Sequence, residues 1–258
     1  VTAEAAFLKT EKLGVRFGGL EAVKNADIGL ARGEILSIIG PNGAGKTTLI
    51  NLLTGFLRPT TGRVFFRGED ITGKEPHQVA RRGIVRSFQK NELFRRCTAE
   101  QNVLIGAHLR SGGQHGAART LEALFTSRGT PRAAVEAARE ALETVGLGPR
   151  AGWPAASLPH GDQRLLGIAV ALAAGPELLL LDEPVGGMTA AEAERVMALM
   201  TKIRERGITI GLVEHNMNFV MSVSDRIVVL DHGEVIAQGK PAEIQANPRV
   251  IEAYLGKW

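Results

Sequence analysis

Cysteine is nearly missing from this chain: Cys97 stands alone among 258 residues. An intrachain disulfide is therefore excluded, and no zinc-type ligand spacing exists. Long apolar runs are missing too. The longest, 165–174 and 177–181, are core-length segments, well short of the ~18 to 20 residues that span a bilayer. The start of the chain has no basic region followed by an apolar stretch, so no signal peptide is expected and the chain should stay in the cytoplasm. Neither sign of charge dominates, with 31 Lys and Arg against 27 Asp and Glu for a net +4. The densest basic stretch, Arg81, Arg82, Arg86, Lys90, Arg95 and Arg96, reads as a solvated face, and no nucleic-acid partner is expected. No segment repeats. What remains is ordinary globular material, 44% hydrophobic, long enough to bury a substantial core as one domain or as a domain with a subdomain.

Against that background one segment stands out. Gly40-Pro41-Asn42-Gly43-Ala44-Gly45-Lys46-Thr47 lies between an apolar strand, Ile35–Ile39, and a helix expected to open at Thr48. It has the form of a phosphate-binding loop. Glycines let the backbone curl so that successive N–H groups converge on phosphate oxygens, and the following helix turns the positive end of its dipole toward them. Asn42, Gly43, Ala44, Gly45 and Thr48 belong to this cradle, Lys46 reaches the β and γ phosphates, and Thr47 offers its hydroxyl to Mg²⁺. A nucleotide is the expected ligand.

The surrounding chain supports that reading. Strand-like segments at 15–17 and 26–30 precede the loop, and another at 63–67 follows the turn at 59–62. From about 90 to 157 the composition shifts to Ala, Arg and Glu, with Val135, Ala138, Leu142 and Val145 at helical spacing, which predicts a helical subdomain. Its interior, 110–131, carries Gly112-Gly113, Gly116 and Gly129-Thr130-Pro131 and is expected to be irregular. Continuous apolar runs then return at 178–181, 208–213 and 226–230, separated by helical patterns, as in a parallel sheet covered on both faces. Asp231-His232-Gly233 predicts a hairpin into an antiparallel strand at 234–238, and a C-terminal helix is expected from Pro241.

The run Leu178-Leu179-Leu180-Leu181 ends in Asp182-Glu183-Pro184. A buried strand delivers carboxylates at its C-terminal edge only where something compensates them. Beside a phosphate loop, Asp182 is placed to hold the hydration shell of Mg²⁺ and Glu183 to polarise an attacking water. Three further segments complete a set: Ser87-Phe88-Gln89, Leu158-Pro159-His160-Gly161-Asp162-Gln163-Arg164 and Val213-Glu214-His215. In order and spacing the five resemble the ATP-binding subunit of ABC transporters, over essentially the whole chain. Phe17-Gly18-Gly19-Leu20-Glu21-Ala22-Val23, Gly83-Ile84-Val85-Arg86-Ser87-Phe88-Gln89 and the ending from Asn247 to Gly256 look like the branched-chain amino acid importer branch. Pro184-Val185-Gly186-Gly187-Met188-Thr189 is also similar to the related urea importer ATPases.

The resemblance implies an α/β fold: a P-loop core with a mostly parallel sheet, an antiparallel β subdomain and a helical subdomain. It implies one ATPase domain over 1–258, with 1–89 and 158–258 as the nucleotide-binding core and 90–157 as the helical subdomain. ATP and Mg²⁺ are the implied ligands. Gln89 would contact metal and water, His215 the γ phosphate, and Phe17 the adenine, with Val23 among the nucleotide-contacting positions. Pro159, His160, Gly161 and Asp162 would meet the γ phosphate held by a second ATPase subunit, identical or related, paired head to tail. Pro159 and His160 depart from the common Ser and Gly, which implies weaker γ-phosphate contact without loss of activity, and Thr189 departs from a common Asp, which leaves the strength of the link between the two sites open. Leu93, Phe94, Arg95 and Arg96 lie where such subunits grip integral membrane permease subunits at the cytoplasmic face of the membrane, with a periplasmic or extracellular solute-binding protein acting indirectly. Import of branched-chain amino acids or a related small solute is the implied function. A urea or amide importer ATPase, an exporter subunit and a soluble non-transport ABC ATPase are the alternatives.

Overall fold

Short strands punctuated by glycine turns open the chain. In the computed structural model, which describes residues 6–87, 93–110 and 131–255, these are β1 (Leu8–Phe17), β2 (Leu20–Ala26) and β3 (Gly29–Leu30). They are followed by β4 (Ile35–Ile39), α1 (Lys46–Leu53), β5 (Thr61–Phe66), β6 (Glu69–Asp70), α2 (Pro76–Arg81) and β7 (Ile84–Arg86). Then come α3 (Ala99–Arg110), α4 (Arg132–Val145), α5 (His160–Ala173), β8 (Leu178–Asp182), α6 (Ala190–Glu205), β9 (Thr209–Val213) and α7 (Met217–Val223). Last are β10 (Arg226–Asp231), β11 (Glu234–Gly239), α8 (Pro241–Gln245) and α9 (Pro248–Leu255). No helix among the described residues is long and apolar enough to cross a membrane. The chain divides into two units, Val1–Val79 with Ile203–Trp258, and Ala80–Lys202.

In the first unit, β1 is the hub of an antiparallel sheet ordered β2-β1-β5-β6, with β3 also on β1. A second sheet is mostly parallel: β4 pairs in parallel with β9 on one side and β10 on the other, and β11 is the antiparallel addition. All five residues of β4 and of β9 are buried, as their unbroken apolar runs predict for strands covered on both faces. The β10–β11 turn has His232 at φ 44 and Gly233 at φ 82, the two positive values of a type I′ hairpin. Ile39, Val220, Ile227, Val229, Ile244 and Val250 form one buried cluster, so α7, α8 and α9 share a core with the strand that enters the phosphate loop. Each such side chain contributes ~1.5–3 kcal/mol of transfer free energy.

In the second unit β7 and β8 pair in parallel, and α3, α4 and α5 pack on one another. Small residues set the close helix approach: Ala99, Val103 and Ala107 on α3 and Ala134, Ala138 and Ala141 on α4 are all buried. Gly146, at φ 77, ends α4 by donating to the carbonyls of Glu143 and Leu142. Of the stripe expected on this helix, Ala138, Leu142 and Val145 are buried and Val135 is half-buried. The irregular insertion expected at 110–131 lies, for 111–130, outside the described residues.

Candidate nucleotide-binding site

The phosphate loop runs from Gly40 to Thr47 between β4 and α1. The helix opens at Lys46, two residues before the expected Thr48, because Gly45 takes a left-handed conformation (φ 101) as its N-cap. A β-carbon at Gly45 would stand 2.5 Å from the carbonyl oxygen of Ala22, and one at Gly40 would collide with that of Leu230. Any larger residue would push the loop off the strands beneath it. Lys46 Nζ donates to the carbonyls of Gly40 at 2.6 Å and Pro41 at 2.9 Å, so the ammonium is held at the loop itself. Thr47 is exposed in the first turn of α1, with Asn42 and Gly43 exposed beside it and Thr48 half-buried. Gly233 braces the loop from the β10–β11 turn: its N–H donates to Ala44 at 3.1 Å and its carbonyl accepts from Lys24 at 2.7 Å.

Phe17 ends β1 opposite Leu20, with its ring half exposed. Val23 is buried on β2, and its methyl lies 3.6 Å from where a Gly45 β-carbon would be, so it supports the loop from below. His215 follows β9. Because Ile38 is in register with Val213, Gly40 and His215 leave the same edge of the parallel sheet. The phosphate loop, Phe17, Val23 and His215 thus belong to one unit, and Asp182, Glu183 and the 159–162 segment to the other.

In that second unit Asp182 ends β8 and is buried. Its Oδ2 accepts from Arg86 Nη2 at 2.7 Å, both side chains being nearly inaccessible. The compensation expected of a buried strand-end carboxylate is here an arginine at the end of β7. Glu183, half-buried, has φ 47, which an L-residue adopts only where its neighbours enforce it. Its carbonyl accepts from Arg164 Nη1 at 2.7 Å and from Gly186 N–H at 3.2 Å. Gln89 lies outside the described residues.

Pro159 is the N-cap of α5 and offers no side-chain cap. His160 is exposed, while Gly161 and Asp162 are buried. The Asp162 carboxylate is turned into its own unit, gripped by Arg150 Nη1, with Arg195 Nη2 at 3.5 Å. What this segment can offer a phosphate is therefore its backbone N–H groups, the helix dipole and the exposed imidazole of His160. Thr189 donates both its N–H and its hydroxyl to Glu192 at 2.9 Å, and these bonds hold that carboxyl below its ordinary value of 4.5. Phe94, Arg95 and Arg96 are exposed, and buried Asn102 pins their loop by exchanging hydrogen bonds with Phe94.

Arg86, Arg150, Arg195 and Gly233 carry no local signal of these tasks in the sequence. Nor does Tyr254 on α9, whose phenol meets the backbone amide of Gly40.

A strand, a glycine loop with its lysine, and a helix N-terminus on a parallel sheet define a P-loop nucleotide-binding protein. The chain belongs to the ATP-binding subunit family of ABC transporters: the family described as ABC transporter matches residues 23–186. A second, described as branched-chain amino acid ATP-binding cassette transporter, matches 234–257. The chain is 42% identical, over 97% of its length and 98% of the relative's, to the high-affinity branched-chain amino acid transport ATP-binding protein BraF of Pseudomonas aeruginosa. Its fold is that of solved ATP-binding cassettes. An ABC transporter cassette in its ADP conformation superposes with a TM-score of 0.85 at 32% identity, covering 98% of this chain and 99% of that one. A dimeric cassette bound to ADP and phosphate after hydrolysis gives 0.75 at 26% identity, covering 91% and 98%.

Proposed function

We propose that this chain is the ATP-hydrolysing subunit of an importer for branched-chain amino acids, working at the cytoplasmic face of the membrane. The observation that carries the proposal is the pairing of a complete phosphate loop with the C-terminal match at 234–257, which branched-chain amino acid cassettes share. The whole chain acts as one ATPase domain, with 90–157 as its helical subdomain.

ATP binds with its phosphates on the backbone N–H groups of 42–48, Lys46 against the β and γ phosphates and Phe17 against the adenine. The γ phosphate meets the N-terminus of α5 from a second ATPase subunit, through the N–H groups of residues 160–162. Pro159 lacks the hydroxyl that a serine would add there, so this contact rests on backbone and dipole, with the exposed imidazole of His160 as a side-chain donor at the cap. The related cassette solved as a dimer supports a pairing of two such subunits. Glu183 polarises the attacking water, and His215 donates to the γ phosphate and holds the water's line of attack. Oxygen donors suit Mg²⁺, and Thr47, exposed in the first turn of α1, and Asp182 at the end of β8 both supply them. Thr47, Asp182 and Gln89 would hold the ion, which neutralises charge on the phosphates when bound. Closure on ATP and reopening on product release then move the permease subunits, gripped through Phe94, Arg95 and Arg96.

The test is affinity purification of the full chain from detergent-solubilised membranes with identification of what accompanies it. Recovery of integral membrane subunits and a second ATPase supports the proposal. Recovery of ribosomal or DNA-bound proteins in their place overturns it.

A further inference from the structure

Glu214 carries a carboxylate with no solvent exposure, next to the half-exposed imidazole of His215. An ionised carboxylate tolerates such burial only where several donors converge on it. Here Oε1 accepts from the backbone N–H of His215 at 2.8 Å and of Asn216 at 3.2 Å, and His215 Nδ1 lies 3.3 Å away. Asn216 in turn caps α7, its side chain accepting from Phe219 N–H at 3.1 Å. The three residues that carry the imidazole beyond β9 are therefore tied down at both ends.

A carboxylate oxygen only accepts. Nδ1 facing it at that distance can serve only as a donor, and Nε2 lies on the far edge of the ring. A phosphate oxygen also only accepts, so an Nε2–H donated to it leaves both ring nitrogens protonated and the ring a cation. The carboxylate beside such a ring is Glu214.

We propose that Glu214 is a positioning residue for ATP hydrolysis: it orients His215 through Nδ1 and balances the ring's charge while Nε2 donates to the γ phosphate. This rests on the reading of His215 given above. Glu214 does not itself touch the nucleotide.

Glu214→Gln keeps an oxygen for the two backbone N–H groups, removes the charge and puts an NH₂ in place of the second oxygen. In the full chain it should lower kcat on the order of tenfold and leave KM for ATP within about twofold, since the interaction is called on in the transition state. In a His215→Ala background the same substitution should change nothing further, because residues acting as a unit are not additive. Wild-type kcat in Glu214→Gln beside a slowed His215→Ala overturns the inference and leaves the reading of His215 standing. Wild-type kcat in both variants overturns both, and a full additive loss in the double variant overturns the inference alone. Glu214→Asp, which retains the charge, guards against a folding defect in the glutamine variant: it should keep more of kcat than Glu214→Gln, and an aspartate variant slower than the glutamine one counts against the proposal.

Discussion

Glu183 joins a carboxylate proposed to polarise water with a backbone at φ 47, and the second of these is held by the bonds to its carbonyl from Arg164 and Gly186. Glu183→Gln leaves that backbone and those bonds in place. It should lower ATP turnover on the order of 10² or more, with ATP binding intact in a fluorescent-nucleotide titration, because only the base is lost. Turnover at the wild-type level would remove Glu183 from its role. One residue away, Asp182 raises a question of stability. Replacing Arg86 with Met strands a buried carboxylate and should cost on the order of 3 kcal/mol, read as a lower midpoint in urea unfolding. An unchanged midpoint would mean that water or another donor reaches Asp182. The carboxylates and the phosphate loop were legible in the sequence because each is a contiguous pattern with a strand before it. Arg86 was not, since its partner is 96 residues away and the two meet only through the parallel pairing of β7 with β8. Asp162 could be read as an acidic residue in the first turn of a helix, but not as the object of Arg150 and Arg195, which approach it from other elements.

Among the elements, α9 has a place that periodicity could not reveal. Its amphipathic pattern shows that one face is buried, not what that face covers. Val250 joins the cluster that contains Ile39, the residue before the phosphate loop, and Tyr254 reaches the amide of Gly40. A C-terminal helix thus supports the first residue of the nucleotide cradle. Burial pushes the Tyr254 hydroxyl above its ordinary value of 10, and the Gly40 amide opposes that shift in part. Since the folded state holds the proton more tightly, the stability linked to it is complete below pH 10 and is lost as pH rises through the folded value. Tyr254→Phe should flatten the fall in stability above pH 10 in alkaline unfolding curves and weaken ATP binding, whereas an alkaline limb identical to wild type would show that the phenol is not held there. The strands with unbroken apolar runs, β4, β8 and β9, were legible because that pattern is what a doubly covered sheet requires, whereas β2, β6, β7 and all but the last three residues of β1 carry no such run and were not. Their pairing order was not, since parallel neighbours are joined through long crossovers that leave no local trace.

At the scale of the whole molecule, the proposed pairing has the chain present half of each composite site. The 159–162 segment has no hydroxyl at its cap and turns its carboxylate inward, which leaves backbone, dipole and the exposed His160 imidazole for the proposed contact with a second subunit's phosphate. Work done by ATP in such an arrangement must appear as movement in partners that this chain does not contain. The decisive measurement is uptake of radiolabelled leucine into vesicles reconstituted with this chain and the membrane subunits that purify with it, ATP being supplied on the side that carries this chain. Uptake that requires ATP and disappears in Lys46→Ala is the expected result. Leucine uptake indifferent to ATP, or unaltered in Lys46→Ala, would contradict the assignment of this chain as the importer's ATPase.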